Sequence, residues 1–176
     1  MSAKMPIRAL GRFLEDFQVG DVFQHPLGRT IGEADNRWFT LLTMNTHESH
    51  FNAWAASQSE FGRELVNSGL SVAIVLGLSV SDISQNAIAN LGWDAIHLTS
   101  PVFVGDTLYA ESLVTQVRRS QSRPTAGIVS CVTRGLNQDG IEVLRFQRSA
   151  LVHRRSEATR VRPFPRASQP ISGGPE

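Results

Sequence analysis

The residues best suited to acid–base chemistry lie close together between Thr43 and Asn52. Asn45, His47 and His50 place one amide and two imidazoles within six residues. An imidazole exchanges protons near neutral pH, because its unperturbed pKa is about 6.5. An amide cannot accept a proton at that pH, but its oxygen can hold a water molecule and its nitrogen can donate a hydrogen bond. The segment could therefore bind a water molecule and move its protons.

The sequence does not favour a metal site or another cofactor. His47 and His50 are three residues apart, but no third ligand and no cluster of cysteines or carboxylates accompanies them. The single cysteine, Cys131, lies in a strand-like stretch, so we interpret it as a small core residue rather than a nucleophile. The remaining histidines lie in strand-like surroundings and show no partner in the sequence: His25, His97 and His153.

The composition indicates a globular protein of about one domain. The chain has 176 residues, of which 41% are hydrophobic and 19% charged, and its net charge is +1. This balance requires neither a nucleic-acid nor a membrane partner, and no apolar run is long enough to span a bilayer. One cysteine excludes an internal disulfide, and the N-terminal basic residues are not followed by an apolar segment. We therefore expect a cytoplasmic protein without a secretory signal.

Helix-like segments come first along the chain. The apolar spacing of three to four residues predicts a helix from Ile31 to Leu42. His50 to Ser57 is a second, short helix candidate, and the run from Gly69 to about Ser84 is too long for an ordinary strand and is interpreted as a third helix. The first is amphipathic, and Asp35 near its start suits the helix dipole better than a catalytic role. The third is apolar on nearly all sides, which predicts a buried helix that begins at a cap of Asn67 or Ser68.

Strand-like segments dominate the second half. Besides a short candidate strand over Val22 to Leu27, four stretches read as strands: Gly92 to Leu98, Thr107 to Val117, Gly127 to Leu136, and Glu142 to Val152. A hairpin-turn signal, Asn137 to Gly140, separates the last two. Helices followed by successive antiparallel strands predict an α+β domain, in which a curled sheet surrounds one central helix.

The character of the chain changes at both ends. We predict a flexible arm over residues 1–12, a single folded domain over residues 13–153, and a disordered tail over residues 154–176. The tail is basic, rich in proline, glycine and serine, and too poor in apolar residues to build a core. The alternative to a solvated, disordered tail is a tail that contacts an acidic partner or a neighbouring subunit.

The order of elements resembles the hot-dog fold, and specific stretches narrow the resemblance to the MaoC-like enoyl-CoA hydratases and dehydratases. These stretches are Phe17-Gln18-Val19-Gly20-Asp21, Thr30-Ile31-Gly32-Glu33-Ala34-Asp35, Leu42-Thr43-Met44-Asn45 through His50, and Pro101-Val102-Phe103-Val104-Gly105-Asp106-Thr107-Leu108. The first and last are widespread in that family and identify the fold. The third corresponds to its hydratase signature, and the chain is most similar to members that act on short branched dicarboxylyl-CoA substrates such as mesaconyl- or itaconyl-CoA.

The signature is altered in this chain. The family usually has Asp, any residue, Asn, Pro, an aliphatic residue and His. Here Asn45 stands at the Asp, His47 at the Asn, Glu48 at the Pro, Ser49 at the aliphatic residue and His50 at the His. The family's catalytic pair is the Asp and the His, so only the His is retained. Related members also carry Met-Asn at this place, so the amide does not by itself imply an inactive protein.

The resemblance implies reversible hydration of a short 2-enoyl thioester. His50 would be the base, Asn45 would orient the water, and His47 is either a second acid–base group or a packing residue. In the family, backbone N–H groups at the start of the central helix bind the thioester oxygen, which here are those of Asn67, Ser68 and Gly69.

The resemblance also implies a thioester of CoA or of an acyl carrier protein as the partner, and a homodimer or higher oligomer. Three arginines around one turn could bind the CoA phosphates or form a solvated strand end: Arg118, Arg119 and Arg123. Three other functions remain open: a specialised biosynthetic dehydratase, a hot-dog thioesterase, and a non-catalytic acyl-thioester-binding or dimerisation module.

Overall fold

The computed structural model describes residues 11–158, 165, 167–169 and 171. These ranges contain three α-helices: α1 (Glu33–Leu42), α2 (Ala53–Ser57) and α3 (Ser68–Leu78). Single helical turns occur at Leu14–Asp16, Glu48–His50 and Arg155–Glu157, and a wider turn, Val80–Ser84, follows α3. Most of the predicted N-terminal arm and of the predicted tail lies outside the described residues.

The six strands form one antiparallel sheet. They are β1 (Val22–Gln24), β2 (Arg29–Thr30), β3 (Ala87–Leu98), β4 (Thr107–Arg119), β5 (Ala126–Leu136) and β6 (Glu142–His153). Their order is β1-β4-β5-β6-β3, and β2 pairs with β4 beside this path. The long strand β3 is therefore an edge strand. The four long strands predicted from the sequence are all present, extended by between one and five residues.

Alternating burial explains why the long strands form. On β6, every second side chain faces the core, including Leu144, Phe146 and Ala150. The predicted turn between β5 and β6 is closed by a bond from the Gly140 N–H to the Asn137 carbonyl of 3.0 Å. Gly140 has a φ of +76°, a conformation that glycine adopts without strain.

Helix α3 lies against the inner face of the sheet, as predicted. Leu70 and Val75 are buried in the main core, and α3 contacts both β4 and β5. Gly135 on β5 permits this close packing, since a Cβ there would lie 2.6 Å from the Val75 Cγ2. The predicted cap is also present, because Asn67 Oδ1 accepts a hydrogen bond of 2.9 Å from the Gly69 N–H. The expected α+β domain with a central helix is confirmed.

Helix α1 is present, but its apolar side faces away from the core. Trp38 and Leu42 are 68% and 76% exposed, whereas Asn36 and Thr40 are fully buried. Asp35 lies in the first turn, as the dipole argument expects, and its Oδ2 also accepts a bond of 2.9 Å from the Gly32 N–H. The amphipathic pattern therefore identified the helix but not its buried side. Within the described ranges, no helix has the length and apolar character needed to cross a membrane.

Candidate active site

His50 lies at the end of the turn Glu48–His50, which is held against the residues before α3. The Leu65 N–H donates to the Ser49 carbonyl at 3.0 Å, and His50 Nδ1 lies 3.0 Å from the Leu65 carbonyl oxygen. A carbonyl oxygen only accepts, so Nδ1 carries the proton and donates it to this bond. Nε2 of the neutral imidazole is then the unprotonated nitrogen. This is the tautomer that a general base requires.

One side of His50 lines a cavity of about 310 Å³. Apolar side chains from three parts of the fold form most of the wall, together with hydroxyl groups from α3 and from the segment after β3. The lining residues are His50, Phe61, Leu65, Val66, Ser68, Ser71, Leu98, Thr99, Ser100, Pro101, Val102 and Val143. Such a cavity, apolar with a few polar groups, is typical of a small-molecule site.

Asn36 connects the histidine to the central helix. Its Nδ2 donates to the His50 carbonyl at 2.8 Å and to the Leu65 carbonyl at 2.9 Å. Its Oδ1 accepts a bond of 2.8 Å from the Asn67 N–H. One fully buried amide therefore joins three parts of the site: the turn that carries His50, the Leu65 carbonyl that accepts from His50 Nδ1, and the cap of α3. The sequence analysis missed Asn36, although a polar pair four residues apart on α1, Asn36 and Thr40, was a usable signal.

Two of the three predicted oxyanion donors at the start of α3 are already bonded within the protein. Of the three predicted oxyanion donors, Asn67 gives its N–H to Asn36, and Gly69 gives its N–H to the Asn67 side chain. The N–H of Ser68 has no acceptor among the described residues, and Ser68 lines the cavity with His50. A helix N-terminus is electropositive, so this N–H suits a developing negative charge. Among the three predicted residues, Ser68 therefore remains the candidate donor.

Asn45 does not line this cavity. Helix α1 ends in a Schellman motif, in which the Asn45 N–H donates to the Thr40 carbonyl at 3.0 Å and the Met44 N–H donates to the Leu41 carbonyl at 3.1 Å. Met44 has a φ of +57°, an unfavourable conformation for a residue with a side chain. The Asn45 Oδ1 accepts a bond of 2.9 Å from the His47 N–H. Within the described chain, the predicted pairing of Asn45 with His50 at one cavity is not observed.

The residues that depart from the hydratase signature have local partners. Ser49 Oγ lies 2.6 Å from His47 Nδ1, and a Glu48 carboxylate oxygen accepts a bond of 3.0 Å from the Asn52 side chain. Asn52 in turn caps α2 through a bond to the Ala55 N–H. Polar side chains thus stabilise this turn. The His47 ring lies 5.7 Å from that of His50 and is exposed, but it does not line the cavity.

The three predicted phosphate-binding arginines lie far from His50 within one chain. Arg118 and Arg119 end β4, and Arg123 is in the following turn, whereas the cavity lies near the first residues of β6 and the last of β3. Thirteen residues of β4 span about 40 Å, at roughly 3.3 Å a residue. Arg63 lies closer to the cavity. Its guanidinium stacks 3.7 Å from the centre of the Phe103 ring, and this ring contacts Phe61 of the cavity wall.

Comparisons with known proteins agree with this architecture. A family model described as mesaconyl-CoA hydratase matches residues 3–161. The chain is 35% identical over 170 residues to a mesaconyl-CoA hydratase of Cereibacter sphaeroides, covering 93% of this chain and 47% of that protein. It is 35% identical over 145 residues to a beta-methylmalyl-CoA dehydratase of Chloroflexus aurantiacus, covering 82% of this chain and 41% of that protein.

The fold is similar to that of a solved structure from Mycobacterium tuberculosis described as a double hot-dog fold. The TM-score is 0.74 at 21% identity, and the match covers 82% of this chain and 44% of that one. The α+β fold is therefore the hot-dog fold predicted from the sequence. The chain spans about half the length of the curated relatives that it matches.

Proposed function

The chain belongs to the MaoC-like mesaconyl-CoA hydratase family, and from this premise we propose that it catalyses the reversible hydration of a short branched or dicarboxylic 2-enoyl-CoA. The observation that carries the proposal is the geometry of His50. Its Nδ1 is held by the Leu65 carbonyl, and its ring borders a cavity at the N-terminus of α3. The two named relatives, a hydratase and a dehydratase, support the same chemistry in both directions.

We propose that His50 handles both proton transfers. In hydration, Nε2 removes a proton from water while the water oxygen forms a bond to C3 of the enoyl group. The C2=C3 electron pair moves towards the thioester carbonyl, which becomes an enolate. The imidazolium then returns the proton to C2, and the enolate collapses to the saturated 3-hydroxyacyl thioester. Dehydration follows the same steps in reverse.

The N–H of Ser68 is our candidate donor to the enolate oxygen. Ser68 lines the cavity at the positive end of α3, and one preorganised donor of this kind contributes roughly 3 kcal/mol to the transition state. The hydroxyl groups of Ser71, Thr99 and Ser100 line the same cavity. A volume of about 310 Å³ with several hydroxyls suits a short acyl group that carries a polar substituent better than a long alkyl chain.

The test is turnover of mesaconyl-CoA and crotonyl-CoA, followed through the loss of the conjugated-enoyl absorbance. We expect hydration of both thioesters, with the higher kcat/KM for mesaconyl-CoA. A thiol reagent in a parallel reaction measures free CoA. Release of CoA without hydration would instead indicate a thioesterase. No turnover of either substrate by a folded protein would favour the non-catalytic module.

We further propose that two copies pair through β3 in the cytoplasm. This edge strand is twelve residues long and exposes Leu91, Trp93, Ile96 and Leu98. An unpaired apolar edge is a ready surface for strand addition, and the relatives are about twice as long as this chain. Antiparallel pairing creates a two-fold axis near the middle of β3. One copy's His50 then lies at the same end of the joined sheet as the other copy's arginine turn, Arg118–Arg123, which supports the phosphate-binding prediction in a dimer.

Disrupting this edge should separate the copies. We expect light scattering to give twice the chain mass for the native protein and for Leu113→Arg, but the single-chain mass for Leu91→Arg. The two leucines are matched, since they are 42% and 51% exposed and both lie on strands. A dimer that survives Leu91→Arg would contradict pairing through β3.

A further inference from the structure

Arg148 is a buried cation outside the candidate active site. It is 3% exposed and lies on β6 between Phe146 and Ala150, whose side chains face the core. Its Nη2 donates to Ser79 Oγ at 3.0 Å, while its Nε has no acceptor. Among the described residues, no carboxylate lies within ion-pairing distance of Arg148.

The neighbouring charges do not balance this guanidinium. A nearby polar cluster consists of Arg12, His25 and Asp82. Its carboxylate, Asp82, is shared by Arg12 at 3.2 Å and by His25 Nδ1 at 2.9 Å. The pKa of His25 lies below its ordinary value, because burial, together with the charges of Arg148 and Arg12, outweighs the opposing hydrogen bond and charge of Asp82. The neutral form of this imidazole is therefore favoured at pH 7. Asp82 is then matched by Arg12, and Arg148 is left over. A buried charge without a counter-ion is costly, and the C-terminal dipole of α3 offsets only part of it.

Arg148 lines a cavity of about 490 Å³. The other walls are mainly apolar and include Leu76, Val80, Ile88 and Trp93. Within one chain, this cavity is separate from the one beside His50. Arg148 is five residues along β6 from Val143, which lines the His50 cavity, and five residues of a strand span about 17 Å. A short acyl group bound at His50 cannot reach that far within one chain.

We propose that this second cavity binds a small carboxylate with a short apolar body, held by the guanidinium of Arg148. The planar guanidinium matches a carboxylate through two parallel N–H donors. The apolar walls would surround the carbon atoms of the ligand. A single arginine, with no second basic residue among the lining residues, suits one negative charge better than a phosphate. This proposal does not depend on the proposed enzymatic activity.

Calorimetric titration and thermal melting with crotonate test the proposal without any turnover. We expect crotonate to bind the full-length protein and raise its Tm, and acetate, which lacks the apolar body, to bind at least tenfold more weakly. Arg148→Met should reduce crotonate affinity by at least tenfold. Ser79→Ala, which removes the hydroxyl partner but keeps the charge, should bind crotonate at least as well as the native protein.

A second variant covers the case in which Arg148→Met does not fold. Ala87→Phe fills the cavity from β3 and leaves the guanidinium in place, so it should also abolish crotonate binding. An unchanged affinity in either variant would place crotonate elsewhere, for example beside His50, and overturn the proposal. A response to phosphate but not to crotonate would overturn the assigned ligand class. No response to any anion would also overturn the proposal, and would mean that the C-terminal dipole of α3 is enough to stabilise the charge of Arg148.

Discussion

Replacing His50 by alanine should reduce kcat for enoyl-CoA hydration by about 10²- to 10⁴-fold, the range that a positioned acid–base group contributes. The reason is geometric. Among the described residues, His50 is the one titratable side chain that lines the cavity, and its Nδ1 bond to the Leu65 carbonyl leaves Nε2 free to accept a proton. The measurement is the initial rate of loss of enoyl absorbance at saturating mesaconyl-CoA.

His47→Ala is the matched control for this prediction. It removes a second imidazole whose ring lies 5.7 Å from that of His50 but does not line the cavity. We expect its kcat to fall by less than about tenfold, because His47 would act only through the position of the turn. If His47→Ala lost most of the activity while His50→Ala retained it, the roles of the two imidazoles would have to be exchanged.

Replacing Asn36 by leucine should give the second large loss. Leucine has a similar size but cannot bond the His50 carbonyl, the Leu65 carbonyl or the Asn67 N–H. Each buried group left without a partner costs about 1–3 kcal/mol, so we expect a clear fall in Tm. We also expect kcat to fall by roughly 10- to 100-fold, because small errors in the position of a base reduce rates strongly.

Thr40→Val separates positioning from stability. Thr40 is buried on the same face of α1, and its hydroxyl accepts a bond of 3.3 Å from the Asn67 side chain, but it has no bond to His50. We expect Thr40→Val to lower Tm while kcat stays within about twofold of the native value, with both assays run well below the lower Tm. If Thr40→Val and Asn36→Leu lost kcat to the same extent, Asn36 would have a purely structural role.

The sheet and the central helix were predictable because their determinants are local. Alternating apolar residues, the turn at Asn137 to Gly140 and the cap at Asn67 each act within a few positions of the chain. The buried face of α1 was not predictable in the same way. Its apolar side carries Trp38 and Leu42, yet the structure buries Asn36 on the opposite side. Burying an amide is favourable only when all of its partners are supplied, and those partners come from distant positions.

The turn that carries His50 also combines features that the sequence predicted with features that only the structure explains. Its resemblance to a hydratase signature was visible in the sequence, and so was the departure at Glu48 and Ser49. The structure supplies the reason why that departure is tolerated, since both side chains bond within the turn or to its neighbour Asn52. The prediction that Asn45 acts together with His50 relied on its place at the Asp of the signature, and the structure does not put Asn45 in the cavity wall.

By itself, the sequence determined the elements, because periodicity, caps and turns are encoded over short distances. Its resemblance to known hydratases indicated the hot-dog architecture and the family. It also singled out His50 as the candidate base. Only the tertiary structure decided which nitrogen of His50 is free, which of the predicted N–H donors at the start of α3 are already bonded, and that Asn36 joins the turn of His50 to the cap of α3. These features depend on hydrogen bonds between residues up to 31 positions apart, and such partners are chosen by the packing of the whole domain rather than by any local pattern.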